Sequence, residues 1–204
     1  MKAVNSQLVD FIGANKQYCI PIFQRRYSWE KEDCLKLLDD VVLIAKDERR
    51  PCHFIGSVIY LPLSQFASAI TPCHIIDGQQ RLTTISLLLL ALSDYSKEYY
   101  RSNEEYNNSE TRFEVISNMY LVNQYGKGEL KYKLKLFDDD FTVYKSLLSN
   151  EERKMPEGIK PNKVYHNYLL LLHELRNRKE NPEEILKGIR KLMLVDIPLD
   201  KEDN

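Results

Sequence analysis

Four cysteines in 204 residues (Cys19, Cys34, Cys52 and Cys73) are too few to staple a chain of this size, and none forms a Cys-x-x-Cys pair. A disulfide scaffold is excluded and a reducing, cytoplasmic compartment is expected. Charge of one sign is also missing: 29 basic and 30 acidic residues leave a net charge of −1. No global field therefore draws the chain to DNA or to a membrane, and any polyanion contact has to be local. The longest apolar run, Leu87 to Leu92, is far too short to span a bilayer. Residues Met1 to Asp10 are polar, so no signal peptide is expected. The Gly-x-x-x-x-Gly-Lys-Ser/Thr spacing of a P-loop does not occur. What is present is the composition of a folded protein, 43% hydrophobic, with length for one domain or for a compact unit and a helical appendage.

One stretch stands apart from the rest, His74-Ile75-Ile76-Asp77-Gly78-Gln79-Gln80-Arg81-Leu82-Thr83-Thr84. Ile75 and Ile76 read as the end of a strand, Gly78 as a turn, and Gln79 to Tyr95 as a buried helix. A strand feeding directly into a helix leaves the first N–H groups of the helix unpaired at the positive end of its dipole, where phosphate binds well. Gly78 would let a phosphate approach the backbone, Gln79 and Gln80 offer hydrogen bonds, Arg81 offers a bidentate fork, and Asp77 suits a metal or a water. The alternative is a tight turn with Asp77 as helix cap and Arg81 in a structural ion pair.

Upstream, Tyr18 to Trp29 places Phe23, Tyr27 and the only tryptophan around Gln24, Arg25 and Arg26, and Pro21 bars a central strand there. Such a mixture suits a ligand with a flat ring and phosphates, although Tyr27 and Trp29 also suit a core. Ser28 is read as the cap of a helix over about 29–47 whose acids form a solvated face. Val4, Leu8, Phe11 and Ile12 are spaced for a short helix before it. His53 to Leu61 is the clearest strand, with Gly56 marking a bulge or a close backbone approach, and a polar loop over about 63–72 returns the chain antiparallel through Cys73 to Asp77. Pro-Cys-His occurs twice, at 51–53 and 72–74, but adjacent strand residues point to opposite faces and zinc spacings are missing. His53 and His74 are read as strand residues, either of which could sit beside the ligand.

Leu130 to Phe137 alternates apolar residues with Lys, which predicts a half-buried strand with a basic outer face. Asp138 to Asp140 then open a helix through Leu148, a second helix carries Val164 to Leu175, and a third starts with Pro182 at its first position. Leu192 to Leu199 reads as a final strand, followed by an acidic tail, Asp200 to Asn204. The expectation is an α+β protein: a nucleotide-binding part over 1–100, then a mainly helical part over 101–204 with strands near 130–137 and 192–199.

In order, Ile20 to Trp29, His53 to Ser57 and Ile75 to Thr84 resemble the N-terminal domain of GmrSD-like type IV restriction proteins, a ParB/sulfiredoxin-like domain with a small mixed sheet. The resemblance covers about residues 18–148. It implies a nucleotide site at the Asp-Gly-Gln-Gln-Arg motif, whose hydrolysis of a nucleoside triphosphate licenses or powers DNA cleavage in defence against phage, often with sensing of DNA modification. Taken with the residues themselves, this gives Asp77, Gln79, Gln80 and Arg81 as the expected catalytic residues, with Mg²⁺ at Asp77, and Gly78, Thr83, Gln24, Arg25, Tyr27 and His53 as the expected nucleotide-binding ones. It also implies a separate His-Asn-His nuclease, and no such pattern is visible among the four histidines here. The chain is therefore expected to be the N-terminal part of a longer restriction protein that does not cut DNA alone. The rivals are a non-hydrolysing module that binds DNA or senses its modification, and a nuclease domain in its own right.

Overall fold

The computed structural model describes residues 3–63, 69–149 and 153–199. Residues 64–68 of the loop expected over 63–72 and the acidic tail from Asp200 lie outside these residues.

The described chain is an α+β fold on one six-stranded mixed sheet, in the order β1-β6-β3-β4-β2-β5. Its strands are β1 (Val4–Gln7), β2 (Lys16–Cys19), β3 (His53–Pro62), β4 (Thr71–Asp77), β5 (Leu134–Lys135) and β6 (Leu192–Pro198). β3 and β4 pair antiparallel, as the polar loop between them predicts. β6, from the far end of the chain, lies between β1 and β3, antiparallel to the first and parallel to the second. Strands from both halves of the sequence thus share one sheet.

Helices α1 (Leu8–Gly13), α2 (Lys31–Lys46), α3 (Gln79–Tyr99), α4 (Asn103–Asn108), α5 (Phe113–Ile116), α6 (Asp138–Ser149), α7 (Lys163–Arg178) and α8 (Pro182–Arg190) surround it. α3 is the axis of the fold. Leu87 to Leu92 are all fully buried, because α5, α7 and α8 pack around the helix and leave it no solvated side. Hydroxyls of its first turns donate back into the helix: Thr83 to the Gln79 carbonyl at 2.8 Å and Thr84 to that of Gln80 at 3.0 Å. A buried helix of this kind cannot shift without opening the core, so its N-terminus is a rigid platform.

Three local expectations are corrected. Val4 to Gln7 is an edge strand, and only Leu8 onward is helical, because pairing with β6 supplies backbone partners that local periodicity does not reveal. α2 starts at Lys31 rather than Trp29, capped by Glu30 in a reciprocal pair with Asp33. Ser28 lies two residues before this cap, and its N–H donates to Gln80 Oε1 at 2.8 Å while its carbonyl accepts from Lys163 at 3.2 Å. The Lys-alternating segment forms only the two-residue β5, preceded by a 3₁₀ turn at Gly128–Lys131. Gln17 Nε2 reaches the carbonyl of Tyr132 at 3.0 Å and also that of Glu129, so a side chain takes the place of a ladder there. Lys133 points inward, 5% exposed, with its amine on the carbonyls of Gly13 and Ala14.

Candidate functional site

The site begins where β4 becomes α3. Gly78 sits at φ +95°, a conformation that side chains disfavour, and a Cβ there would stand 2.9 Å from Val58 Cγ2 and 3.0 Å from the Ser57 carbonyl. Glycine is therefore required twice, for the turn and for its packing onto β3. Gly78 is itself the N-cap and contributes no side-chain cap, while Leu82 N–H makes the first helical bond back to it at 3.1 Å. The earlier amides of α3 keep their polarity for whatever lies at the helix mouth. Asp77 does not cap the helix: its carboxylate is exposed and lies 3.7 Å from Arg81 Nη2.

Arg81 crosses from α3 to β3, where Nη1 donates to the Ile55 carbonyl. This crossing passes over Gly56, the strand glycine at which the β3–β6 register shifts. Three amides then fasten the segment 24–28 across the top of the helix. Gln24 Nε2 donates to the Ile76 carbonyl at 3.0 Å, Gln79 Nε2 to that of Arg25 at 3.2 Å, and Gln80 Nε2 to that of Arg26 at 3.1 Å. The result is a cleft of about 370 Å³ that brings Gln24, Arg25, Asp77, Gly78, Gln79, Gln80 and Arg81 together with Trp29. Arg25 and Arg81, far apart in sequence, line the same cavity.

Within the cleft the two glutamines differ. Gln80 spends both ends on the 26–28 segment, accepting from Ser28 N–H and donating to Arg26. Gln79 spends only one, and its Oε1 is buried with no hydrogen-bond partner among the described residues. The Arg25 carbonyl can only accept, so the amide of Gln79 is fixed with nitrogen toward Arg25 and oxygen away from it. A buried acceptor left in that state costs about 1–3 kcal/mol and calls for a donor.

Three of the expected ligand residues lie elsewhere. Tyr27 is buried at 7% exposure, its hydroxyl 2.7 Å from Thr84 Oγ1 and accepting from Asn167 Nδ2 at 3.0 Å, and burial pushes its pKa up. Thr83 is wholly buried in α3. His53 lines a neighbouring cavity, with Nε2 3.6 Å from Asp40 Oδ2. Trp29, which by sequence also suits a core, forms a wall of both cavities.

Among the described residues no three His, Cys, Asp or Glu side chains converge as a metal site. A single exposed carboxylate, Asp77, fits a Mg²⁺ that arrives with phosphate oxygens and keeps its waters, rather than a resident ion held by a protein cage. No helix among the described residues is long and apolar enough to cross a membrane.

A search of curated proteins found no match. A family model does match, over residues 7–204, and its description is the N-terminal domain of the GmrSD restriction endonuclease. That match takes in the β4–α3 turn, the 24–28 segment and the sheet beneath them, and the chain accordingly belongs to the family of GmrSD restriction endonuclease N-terminal domains.

Proposed function

We propose that the cleft at the mouth of α3 binds and hydrolyses nucleoside triphosphates, and that turnover licenses or powers DNA cleavage by a His-Asn-His nuclease domain outside this chain. The observation that carries this reading is the cleft bounded by Arg25 and Arg81 at the mouth of α3, with Gln79, whose Oε1 is buried and unpartnered, in its wall. Phosphate oxygens are held by the α3 amides beside Gly78 and by the two guanidinium groups, which offset charge that spreads over the phosphoryl oxygens in the transition state. Gln79 Oε1 accepts a hydrogen bond from the attacking water and aims its lone pair at the γ-phosphorus. A P–O bond forms to that water, the bridging P–O bond breaks, the proton of the water passes to solvent, and nucleoside diphosphate and phosphate leave. Asp77 would hold the Mg²⁺, which when bound neutralises the phosphate oxygens; without a metal it orients water. The test is phosphate release from each common triphosphate with Mg²⁺, with and without modified and unmodified DNA. Arg81→Ala and Asp77→Ala should each lose turnover by orders of magnitude while retaining the far-ultraviolet circular dichroism of the parent. Folded, fully active variants would remove the site.

A second reading has its own observation. Ile22 and Phe23 are 77% and 72% exposed beside the exposed Arg25 and Arg26, a combination suited to gripping DNA without hydrolysis. Backbone gripping weakens steeply with salt, so a salt titration of DNA binding set beside the phosphate-release assay separates the two.

A further inference from the structure

A second cavity, of about 470 Å³, adjoins the cleft and shares two of its walls, Trp29 and Arg81. Its remaining sides come from α2, through Asp33, Leu37 and Asp40, and from the start of β3, through His53. We propose that this cavity receives the nucleoside end of the nucleotide, with the base against Trp29 and Leu37 and with Asp40 accepting a hydrogen bond from an N–H on the base edge. This assignment rests on the reading that the first cleft binds phosphate.

Charge sorts the two compartments. The first sets Arg25, Arg81 and a helix N-terminus against the single carboxylate of Asp77 and attracts a triphosphate. The second sets two carboxylates, Asp33 and Asp40, against Lys36 and the shared Arg81, so it carries no net positive charge and attracts a triphosphate less than the first. A nucleotide lying across both therefore has one favourable direction, phosphates toward Gly78 and base toward α2. The walls agree with that direction. Leu37 is buried and Trp29 is packed partly against the core, which gives a fixed apolar surface of the kind that accepts a flat ring. The volume falls within the roughly 300–1,000 Å³ of small-ligand sites.

The two acids are not equivalent. Asp33 Oδ2 already accepts from Glu30 N–H at 3.1 Å in the cap of α2. Asp40 faces His53 at 3.6 Å, beyond a good hydrogen bond, and is about one-third exposed, so its oxygens are the ones a ligand meets. A carboxylate is an acceptor only, which favours a base edge with adjacent N–H donors, as in guanine, over one without.

Calorimetric titration of the full 204-residue chain with GTP, ITP and inorganic tripolyphosphate, all with Mg²⁺, tests the assignment. The expected result is GTP binding at least tenfold tighter than tripolyphosphate and several-fold tighter than ITP, which lacks the exocyclic amino group. Asp40→Ala should reduce the GTP-over-tripolyphosphate ratio at least fivefold, and the isosteric Asp40→Asn should shrink the preference for GTP over ITP. If Asp40→Ala fails to fold, Asp40→Asn alone decides. Ratios unchanged in the Asp40 variants, with tripolyphosphate binding still lost in Arg81→Ala, would overturn the base compartment and leave the phosphate cleft standing. Absence of binding by all three ligands, or binding indifferent to Arg81→Ala, would overturn the phosphate reading and this one with it.

Discussion

The guanidinium of Arg81 occupies the space that a side chain at Gly56 would need: a Cβ built there would stand 1.8 Å from Nη1 and 2.8 Å from Cζ. The same nitrogen donates to the Ile55 carbonyl, so a strand glycine and a helix arginine are fitted to each other across the sheet. Gly56→Ala therefore has two costs. At φ +105° alanine is strained by roughly 1–2 kcal/mol, and the arginine has to leave its seat. The expected outcome is a melting temperature lowered by about 2–8 °C. Triphosphate turnover should fall by about 100-fold or more, because a guanidinium displaced by an ångström no longer meets the phosphoryl oxygens. Scanning calorimetry and phosphate release check the two effects separately.

The neighbouring glutamines should part company on mutation. Gln80→Ala removes a donor to Arg26 and an acceptor for Ser28 N–H, both partly buried, and should cost about 2–4 kcal/mol in urea unfolding. Gln79→Ala removes a single donor bond, to Arg25, and relieves a buried unpaired oxygen. Its stability should change by less than about 1 kcal/mol, while kcat should fall by about 100-fold with KM little altered, as expected for a group that acts on the attacking water. Equal effects of the two variants on kcat would show that neither has this separate role.

The β4–turn–α3 unit was legible because everything that makes it is local: an apolar run, a glycine where the chain turns, and then unbroken helix formers. The shared cleft was also readable, since the Gln and Arg residues of the two motifs are costly to bury apart and cheap together around an anion. Residues whose role depends on distant partners were not. Asp40 reads as a solvated helix acid until β3 brings His53 to it. Tyr27 and Trp29 read alike in sequence, yet α7 bonds the Tyr27 hydroxyl and the Trp29 carbonyl through one side chain, Asn167, burying the first and leaving the second at the cleft. Val4 to Gln7 becomes a strand only because β6 returns beside it. The alternation at 130–137 misled because period 2 does not say which face is wet, and Lys133 is the case in point.

Lys133 should leave a mark on the pH dependence of stability. Desolvation lowers its pKa from 10.5 to about 8, and its amine sits on the carbonyls that end α1. Below about pH 8 both folded and unfolded chains carry the proton. Between there and 10.5 the unfolded chain binds more, so this group's contribution to stability rises with pH across that window. Lys133→Met removes the titration. Urea midpoints at pH 7, 8.5 and 10 should show the parent gaining on the variant as pH rises; a constant difference between them would mean that the amine stays charged in the fold.

Tyr27 lies three residues from Gln24 and one from Ser28 in the motif that frames the cleft, and its chemistry suits a base as well as a core. The structure gives its hydroxyl three neighbours instead, Thr84, Asn167 and Cys34, all away from the phosphate cleft. The backbone N–H of the same residue donates to Asp140 Oδ2 at 3.2 Å, and Asp140 accepts in turn from Asn162 at 2.7 Å, so the segment is tied to α6 and to the start of α7. Tyr27→Phe keeps the ring and the backbone tie but leaves Asn167 Nδ2 with one acceptor, the Trp29 carbonyl. Loss of a buried hydroxyl between such partners should cost about 1–2 kcal/mol, and nucleotide affinity should stay within about twofold of the parent, because the hydroxyl never reaches the ligand. Asp140→Ala is the stronger perturbation. It strips an acceptor from both Tyr27 N–H and Asn162, should destabilise by about 2–4 kcal/mol, and should raise KM by loosening the segment that carries Arg25. Urea unfolding together with steady-state phosphate release gives both quantities on the same preparations. A Tyr27→Phe protein with parental stability and a tenfold loss of nucleotide affinity would place that hydroxyl on the ligand and overturn the division between anchor and cleft.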